Sequence, residues 1–465
     1  MPTWLIRLIS RVFLGLFAGC VAVLVVNPVA KAEWAPRGCA NPAPAVLAGF
    51  FDDALPRWLA RDRVPGAVVS VVSGGNTVFA KGHGQADVQR GVAFDASRSL
   101  VRIASITKLF TATAVMQQVE AGRLDLNADV NRYLKAFQIP STYPEPVTLQ
   151  TLMDHTAGFE DRFIGTGAPT AADVPALGDY LAAHIPARIR PPGEISAYSN
   201  YGAALAGYIV TQVSGAPYDH YVQRHLFDPL GMTRSTATEP VPGTLASDLA
   251  HSYDSDTSPL QSVLFWFDPM TPDGAISTTA ADMTHFMIAH LHEGRFGNAS
   301  ILAPASVAEM HERSFTADPR LDGYAHGFKE RTINGHRILM HDGSWEGFQS
   351  ALMLVPGCDF GLFVSTNGTG GLNTLPELED TFFDRFAPAA AIPGTASAAT
   401  RTTAATAQAG FYEPARHNES TIEKLLTLLD PIPLTVGGDS TVHFDDKNWT
   451  PQETVCTARS MAPIA

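Results

Sequence analysis

Cysteine is scarce in this chain, with four in 465 residues. Cys39, Cys358 and Cys456 show no metal-ligand spacing, so no metal is expected. Charged residues are also few, 17% against 45% hydrophobic, a balance that fits a globular protein and excludes a disordered one. Basic charge does not accumulate: the formal net charge is −14 and no basic patch stands out, which excludes nucleic acid as a partner class. Only a few of the 32 basic residues are lysines, so Lys108 is not readily dismissed as surface decoration. No internal repeat supports a solenoid.

Long apolar runs are missing as well. The run from Val12 to Val26 has 15 residues, short of the about 20 that a membrane span needs. Arg7 and Arg11 precede it, and Ala30-Lys31-Ala32 offers an A-x-A cleavage site. Residues 1–32 therefore read as a secretory signal peptide, with an N-terminal anchor as the alternative. An exported protein is expected, periplasmic or extracellular, with the N-terminus as the one segment that could associate with a membrane. Cleavage would leave three cysteines, an odd number that allows at most one internal bridge.

Residues 33–46 form a Pro-containing linker, and a helix is predicted over Val46–Arg61. Ala67–Val72 and Thr77–Ala80 flank Gly74-Gly75-Asn76, a hairpin pattern. A helix begins at Ser105 and ends near Gly122, its expected C-terminal glycine. From there to about residue 320 the pattern is mostly helical, broken by Pro and Gly loops, and includes Ala280–His292, whose His290 and His292 read as polar-face residues. Strand patterns return from about 327 to 365, and Leu375–Phe386 reads as a closing helix. Strands at both ends with helices between imply one sheet built from the two ends, with a helical subdomain at its edge. Residues 388–409 are an Ala/Thr/Pro-rich linker, and 410–465 read as a partial appendage with short strands.

Within this frame three clusters carry chemistry. Ser105 and Lys108 are three apart, which on a helix makes hydroxyl and amine neighbours. A hydroxyl needs an adjacent base to become a nucleophile, and a lysine serves if burial disfavours its charge. The plain alternative is a serine N-cap and a solvated lysine. Tyr198 and Asn200 stand where a loop enters an apolar helix. A tyrosine can relay a proton if a neighbouring ammonium lowers its pKa, and an asparagine can hold both the lysine and a substrate amide. The alternative is that Asn200 caps the helix. His341-Asp342-Gly343-Ser344 follows the strand-like Arg337–Met340. It reads either as an Asp-Gly turn or as a strand whose glycine marks a close approach, with His341 and Ser344 on opposite faces.

Taken in order, Ser105-x-x-Lys108, Tyr198-x-Asn200 and His341-Asp342-Gly343 resemble the serine penicillin-recognising hydrolases. More narrowly they resemble the class C β-lactamase, DD-peptidase and esterase group, whose motifs are S-x-x-K, Y-x-N and K-T-G or H-x-G. Leu152–Gly158 is similar to that group's L-L-x-H-T-S-G turn, and Asp273–Thr278 to its Gly-Gly-x-x-Ser-Thr element. The resemblance covers residues 47–387. It implies an α+β fold of the β-lactamase/transpeptidase type, an antiparallel sheet flanked by helices with an all-helical subdomain. It implies Ser105 as nucleophile and Lys108 with Tyr198 as the proton-transfer pair. Asn200, His341, Gly343 and Ser344 would bind substrate: Asn200 would hold it, the Ser105 and Ser344 N–H groups would receive the oxyanion, and His341 would tune Tyr198 or bind a substrate carboxylate. No cofactor is implied. The expected partner is a small-molecule or peptide substrate, cell-wall peptide included. A true β-lactamase of the group usually carries lysine at the position of His341, and Asp273 replaces a usual glycine. Peptidase or esterase action therefore ranks above antibiotic hydrolysis, with a non-turnover penicillin or peptidoglycan sensor as a further alternative.

Overall fold

The computed structural model describes residues 39, 42–389, 410–412, 414–425, 432–436, 442–444 and 447–449. The expected signal peptide or anchor at 1–32, nearly all of the 388–409 linker and the tail from 450 lie outside these. Among the described residues no helix is long and apolar enough to cross a membrane.

Helix α1 (Pro44–Arg61) begins two residues before the predicted start, because a proline is well placed in a first turn that has no N–H partner to lose. Its buried stripe of Leu47, Phe50, Phe51, Ala54, Leu55 and Leu59 follows helical spacing. Strands β1 (Gly66–Ser73) and β2 (Asn76–Asp87) form the expected hairpin, turning through Gly74 and Gly75, both at positive φ. The remaining long strands come from the other end of the chain: β3 (Phe328–Ile333), β4 (His336–Trp345), β5 (Phe348–Val355) and β6 (Phe360–Thr366). They join in the order β3-β4-β5-β6-β1-β2, all antiparallel, with two-residue strands Tyr324–Ala325 and Val92–Ala93 at the edges.

The sheet is covered on both faces, which is why β1 is apolar at nearly every position rather than alternating. Ala67, Val69 and Val71 pack with α1 and with α5 (Gly371–Phe386), through Phe51, Leu378 and Phe382. Val68 and Val72 face the other core, which holds α2 (Thr107–Glu120), α3 (Asn200–Ser214) and α4 (Ala280–Leu291). The molecule is thus α+β, with an antiparallel sheet between helical layers.

One of the loops that break the helical middle runs from 231 to 270, where only the four residues Gly243–Ala246 are helical. Pro240, Pro242, Pro259 and Pro269 fall there, and each removes a helix donor and clashes with the preceding turn. One expectation needs correction: His290 is not on a polar face. It is buried against Phe286 and Phe328, with Thr113 Oγ1 and the His311 ring each 3.3 Å from its nitrogens.

Cys39 and Cys358 are disulfide-bonded, with Cα atoms 5.8 Å apart, tying the chain before α1 to the β5–β6 turn across 319 residues. That is one internal bridge, the most that three cysteines allowed. Reducing it, or replacing both cysteines with serine, is expected to cost about 2–4 kcal/mol of stability by releasing a long loop in the unfolded chain. Thermal melts with and without reductant check this, and an unchanged Tm would show the bond to be energetically idle.

Candidate active site

The path into the site is strained before it is helical. Ala104, a residue with a side chain, sits at φ +48°, in the left-handed region that favours glycine. A single 3₁₀ turn, Ala104–Ile106, then feeds α2, so the regular helix starts at Thr107 rather than Ser105. Ser105 does not cap it. Its Oγ instead lies 2.9 Å from Nζ of Lys108, the contact that a three-residue spacing allows. Nζ also donates to the backbone carbonyl of Asp273 at 2.8 Å. Lys108 is only 4% exposed, so it is not a solvated surface lysine. Loss of hydration lowers its pKa, against the opposing pull of Asp273 and Asp268.

Tyr198 closes the other side of Ser105. Ser199 caps α3 through Gly202 N–H at 3.0 Å, so Asn200 is the first helical residue and not the cap. That cap holds Tyr198 in the site, where Ser105 acts on its phenol. The Tyr198 ring lies 5.0 Å from Lys108 Nζ and 5.1 Å from Lys329 Nζ. His155 stacks on it at 4.3 Å and accepts a hydrogen bond from Ser199 N–H through Nδ1. The direction of the Tyr198 shift corrects the expectation. Lost hydration pushes the phenol up, and the charge on Lys329 offsets this only in part. Tyr198 therefore stays a neutral phenol in the resting site.

The two lysines around this ring are driven apart. Burial works against the charge on Lys329 too, but Asp342 beside it, together with Tyr198 and Tyr324, outweighs that, and its pKa is raised. Lys329 is held as an ammonium while Lys108 is pushed toward the free amine. Such divergence between neighbouring titratable groups separates a base from a fixed charge.

Strand β4 resolves the two readings of His341–Ser344. The strand continues through Asp342-Gly343 to Trp345, and the turn is made later by Glu346 and Gly347. His341 and Gly343 face inward while Asp342 and Ser344 face out. The glycine is required here. A Cβ on Gly343 would stand 2.1 Å from the carbonyl oxygen of Ile103 and 3.3 Å from Cβ of Ala104. The close approach lays β4 along the turn that carries Ser105. His341 is fully buried, its ring centre 6.0 Å from that of Tyr198, and its Nδ1 is 2.6 Å from the Asp342 carbonyl. Burial, then Lys329, holds its pKa well down, so it is a neutral imidazole. A neutral ring is poorly suited to a substrate carboxylate. Asn200 touches neither Ser105 nor Lys108 through any described hydrogen bond, so the expected lysine contact is not made. Its Oδ1 is buried without a protein donor.

Several residues of the site lie outside the three clusters. Asp273 and Asp268, 2% and 0% exposed, lie behind Lys108, with Asp273 Oδ2 3.7 Å from Nζ. Arg416 comes from the appendage. Its guanidinium sits 4.9 Å from the Tyr198 ring and pairs with Asp161. The same segment is held by Asn418 on the Asp161 carbonyl, by Glu160 on the Glu419 and Ser420 N–H groups, and by Glu423 on the Phe163 and Ile164 N–H groups. A polar run such as Arg416–Glu423 gave no sign in the sequence of where it would dock. Beside Trp345 lies a mostly apolar cavity of about 380 Å³, lined by Val241, Phe265, Phe267, Phe348 and the buried Arg102.

Comparison with known proteins places this geometry. The model of the beta-lactamase family matches residues 51–421. Protein flp of Staphylococcus aureus (strain N315) is 26% identical over 323 residues, 68% of this chain and 62% of flp, so the match spans less than two thirds of that relative. Penicillin-binding protein 4 of Amycolatopsis lactamdurans is 29% identical over 322 residues, 66% of this chain and 81% of its own. In structure, the octameric penicillin-binding protein homologue from Pyrococcus abyssi aligns with a TM-score of 0.58 at 21% identity, over 86% of this chain and 89% of its own, a likeness of fold.

Proposed function

Because this chain belongs to the beta-lactamase family, whose members are serine hydrolases, we propose that it cleaves an amide or ester bond through an acyl-enzyme on Ser105, in the manner of a DD-peptidase or esterase. The observation that carries this is the 2.9 Å contact of Ser105 Oγ with a buried lysine amine, one residue after a strained backbone turn. Lys108 as free amine takes the hydroxyl proton as Oγ attacks the carbonyl carbon. The Ser105 and Ser344 N–H groups receive the oxyanion. Tyr198, a neutral phenol, accepts a proton from Lys108 while passing its own to the leaving group, so the site ends with its protons conserved. Water then attacks the ester carbonyl, the proton path runs in reverse, and the acid product leaves. Asn200 Oδ1 is free to accept from a substrate amide, and the apolar cavity beside Trp345 suits a hydrophobic acyl side chain. His341 in place of lysine favours peptidase or esterase action over antibiotic hydrolysis, and the name of Penicillin-binding protein 4 among the relatives agrees with a cell-wall-type peptide.

Export belongs to the same proposal. The Cys39–Cys358 bond supports it, since disulfides persist in oxidising compartments. The deciding experiment is a panel of nitrophenyl esters, D-Ala-D-Ala peptides and a chromogenic cephalosporin, alongside labelling by a fluorescent phosphonate. Ser105→Ala is expected to abolish both turnover and labelling while leaving the melt intact. Preferred turnover of the cephalosporin would reverse the ranking, a burst without steady state would mark a sensor, and labelling at another residue would refute the assignment.

A further inference from the structure

Asp273 occupies a position where the resembled motif carries glycine, and it brings a second carboxyl group with it. Asp268 and Asp273 are both essentially without solvent. Asp268 Oδ1 accepts from Met270 N–H at 2.7 Å, but Asp268 Oδ2 and Asp273 Oδ1 have no protein donor. Arg102 pairs with Glu239 at 2.6 Å and donates to the Trp266 carbonyl at 2.6 Å, and no described hydrogen bond or ion pair joins it to either carboxyl. Two carboxylates cannot both hold charge in one dry site, and a proton on one of them gives the pair a donor.

We propose that Asp273 and Asp268 share one proton behind Lys108, and that this pair is a positioning device setting which proton form Lys108 takes. The inference rests on the hydrolase reading above. The pair carries a single negative charge, smeared over two groups. Asp273 Oδ2 is 3.7 Å from Nζ, whereas Asp268 makes no ion-pair approach to it. Where the shared proton sits therefore decides how much charge Lys108 meets. A proton on Asp273 moves the charge away and favours the free amine that Ser105 needs. Burial raises both carboxyls, Asp273 the more, and Asp268 beside it adds to that rise. The other charged or titratable groups facing Lys108 are Arg416 and Asp161, beyond the cleft, and Tyr198, His155 and His341, which line it. Lys329 lies across the Tyr198 ring.

The two asparagine variants then have opposite signs. In Asp268→Asn the shared proton is gone and a full carboxylate stays on Asp273, so the ammonium is favoured. The acid limb of the phosphonate labelling rate at Ser105 is expected to move up by about one pH unit. In Asp273→Asn the charge beside Nζ is replaced by an amide, while the backbone carbonyl contact at 2.8 Å is retained. The acid limb is expected to move down by a similar amount. A packing role would lower the rate without opposed shifts, so shifts of the same sign, or none, would overturn the proposal. Each sign decides by itself, so one folded variant suffices. Should neither fold, the infrared carbonyl band of a protonated carboxyl, sought in the wild-type protein while Lys108 titrates, decides instead: the band should be present and shift in position with that titration, and its absence, or a position indifferent to the titration, overturns the pair. Failure of the wild type to label at Ser105 would refute the hydrolase reading, whereas labelling with unshifted limbs refutes this inference alone.

Discussion

Replacing Lys108 with methionine is expected to lower kcat/KM, and the labelling rate of Ser105, by about 10³-fold, and to remove the rise of stability with pH that the lysine causes. The two halves of this result have one cause. Lys108 is enclosed by protein, and dehydration penalises its charged form. An unfolded chain returns the amine to water, where it is protonated below about pH 10. Between the lowered folded pKa and that ordinary value the unfolded state binds the extra proton, so stability rises with pH through this window. Methionine has a similar shape and no charge to desolvate, so the pH-dependent contribution should vanish with the lysine, but the Asp273 carbonyl loses its donor and the carboxyl its nearest cation, which costs stability. The loss of rate is not rescued, because Lys329, the other amine near Tyr198, is held protonated by Asp342 and cannot substitute as base. Steady-state kinetics and melts across pH 6–10 test both halves. A variant that keeps its rate would remove Lys108 from the mechanism, and one that unfolds would assign the lysine a structural role.

What could be read in the chain divides along the distance over which each residue acts. Ser105 and Lys108 meet because three residues of helix bring them together, a relation that spacing alone contains. The β1–β2 hairpin was equally local, with Gly74 and Gly75 supplying the two positive φ angles. Tyr198 was placed on the right loop, but the sign of its shift was not legible. An ammonium nearby argues one way and dehydration the other, and only packing shows that dehydration prevails. His341–Ser344 failed locally in another manner. Asp-Gly suits a tight turn, yet the turn was delayed to Glu346-Gly347 because β5 pairs with β4 as far as Trp345. Asp273 stood out as a departure from glycine, but its place behind Lys108 with Asp268, and that of the Arg416 guanidinium over Tyr198, were not legible, since Asp273 is 165 residues from Lys108 and Arg416 is 255 from Asp161. Their partners are chosen by the fold, and no window along the sequence contains both members.

Gly343→Ala should be the most damaging single methyl group in the site. The added Cβ would lie 2.1 Å from the Ile103 carbonyl oxygen, and that neighbour is backbone, so no flexible side chain can swing away. One of two elements must yield. Either β4 withdraws from the turn that carries Ser105, or the turn, already strained at Ala104, shifts away from β4. Both movements separate the Ser344 N–H from the Ser105 N–H, and an oxyanion can then be held by only one of them. Losing one such donor costs about 10²–10³ in kcat. The stability cost should be smaller, about 1–3 kcal/mol, as for other overpacked positions, because β4 keeps its pairing with β3 and β5 on both sides. Binding of substrate, which relies on groups elsewhere in the cleft, should weaken less than turnover, so kcat should fall further than KM rises. Near-wild-type kcat in Gly343→Ala would mean that β4 does not contribute the second donor, and the oxyanion site would have to be sought on another element.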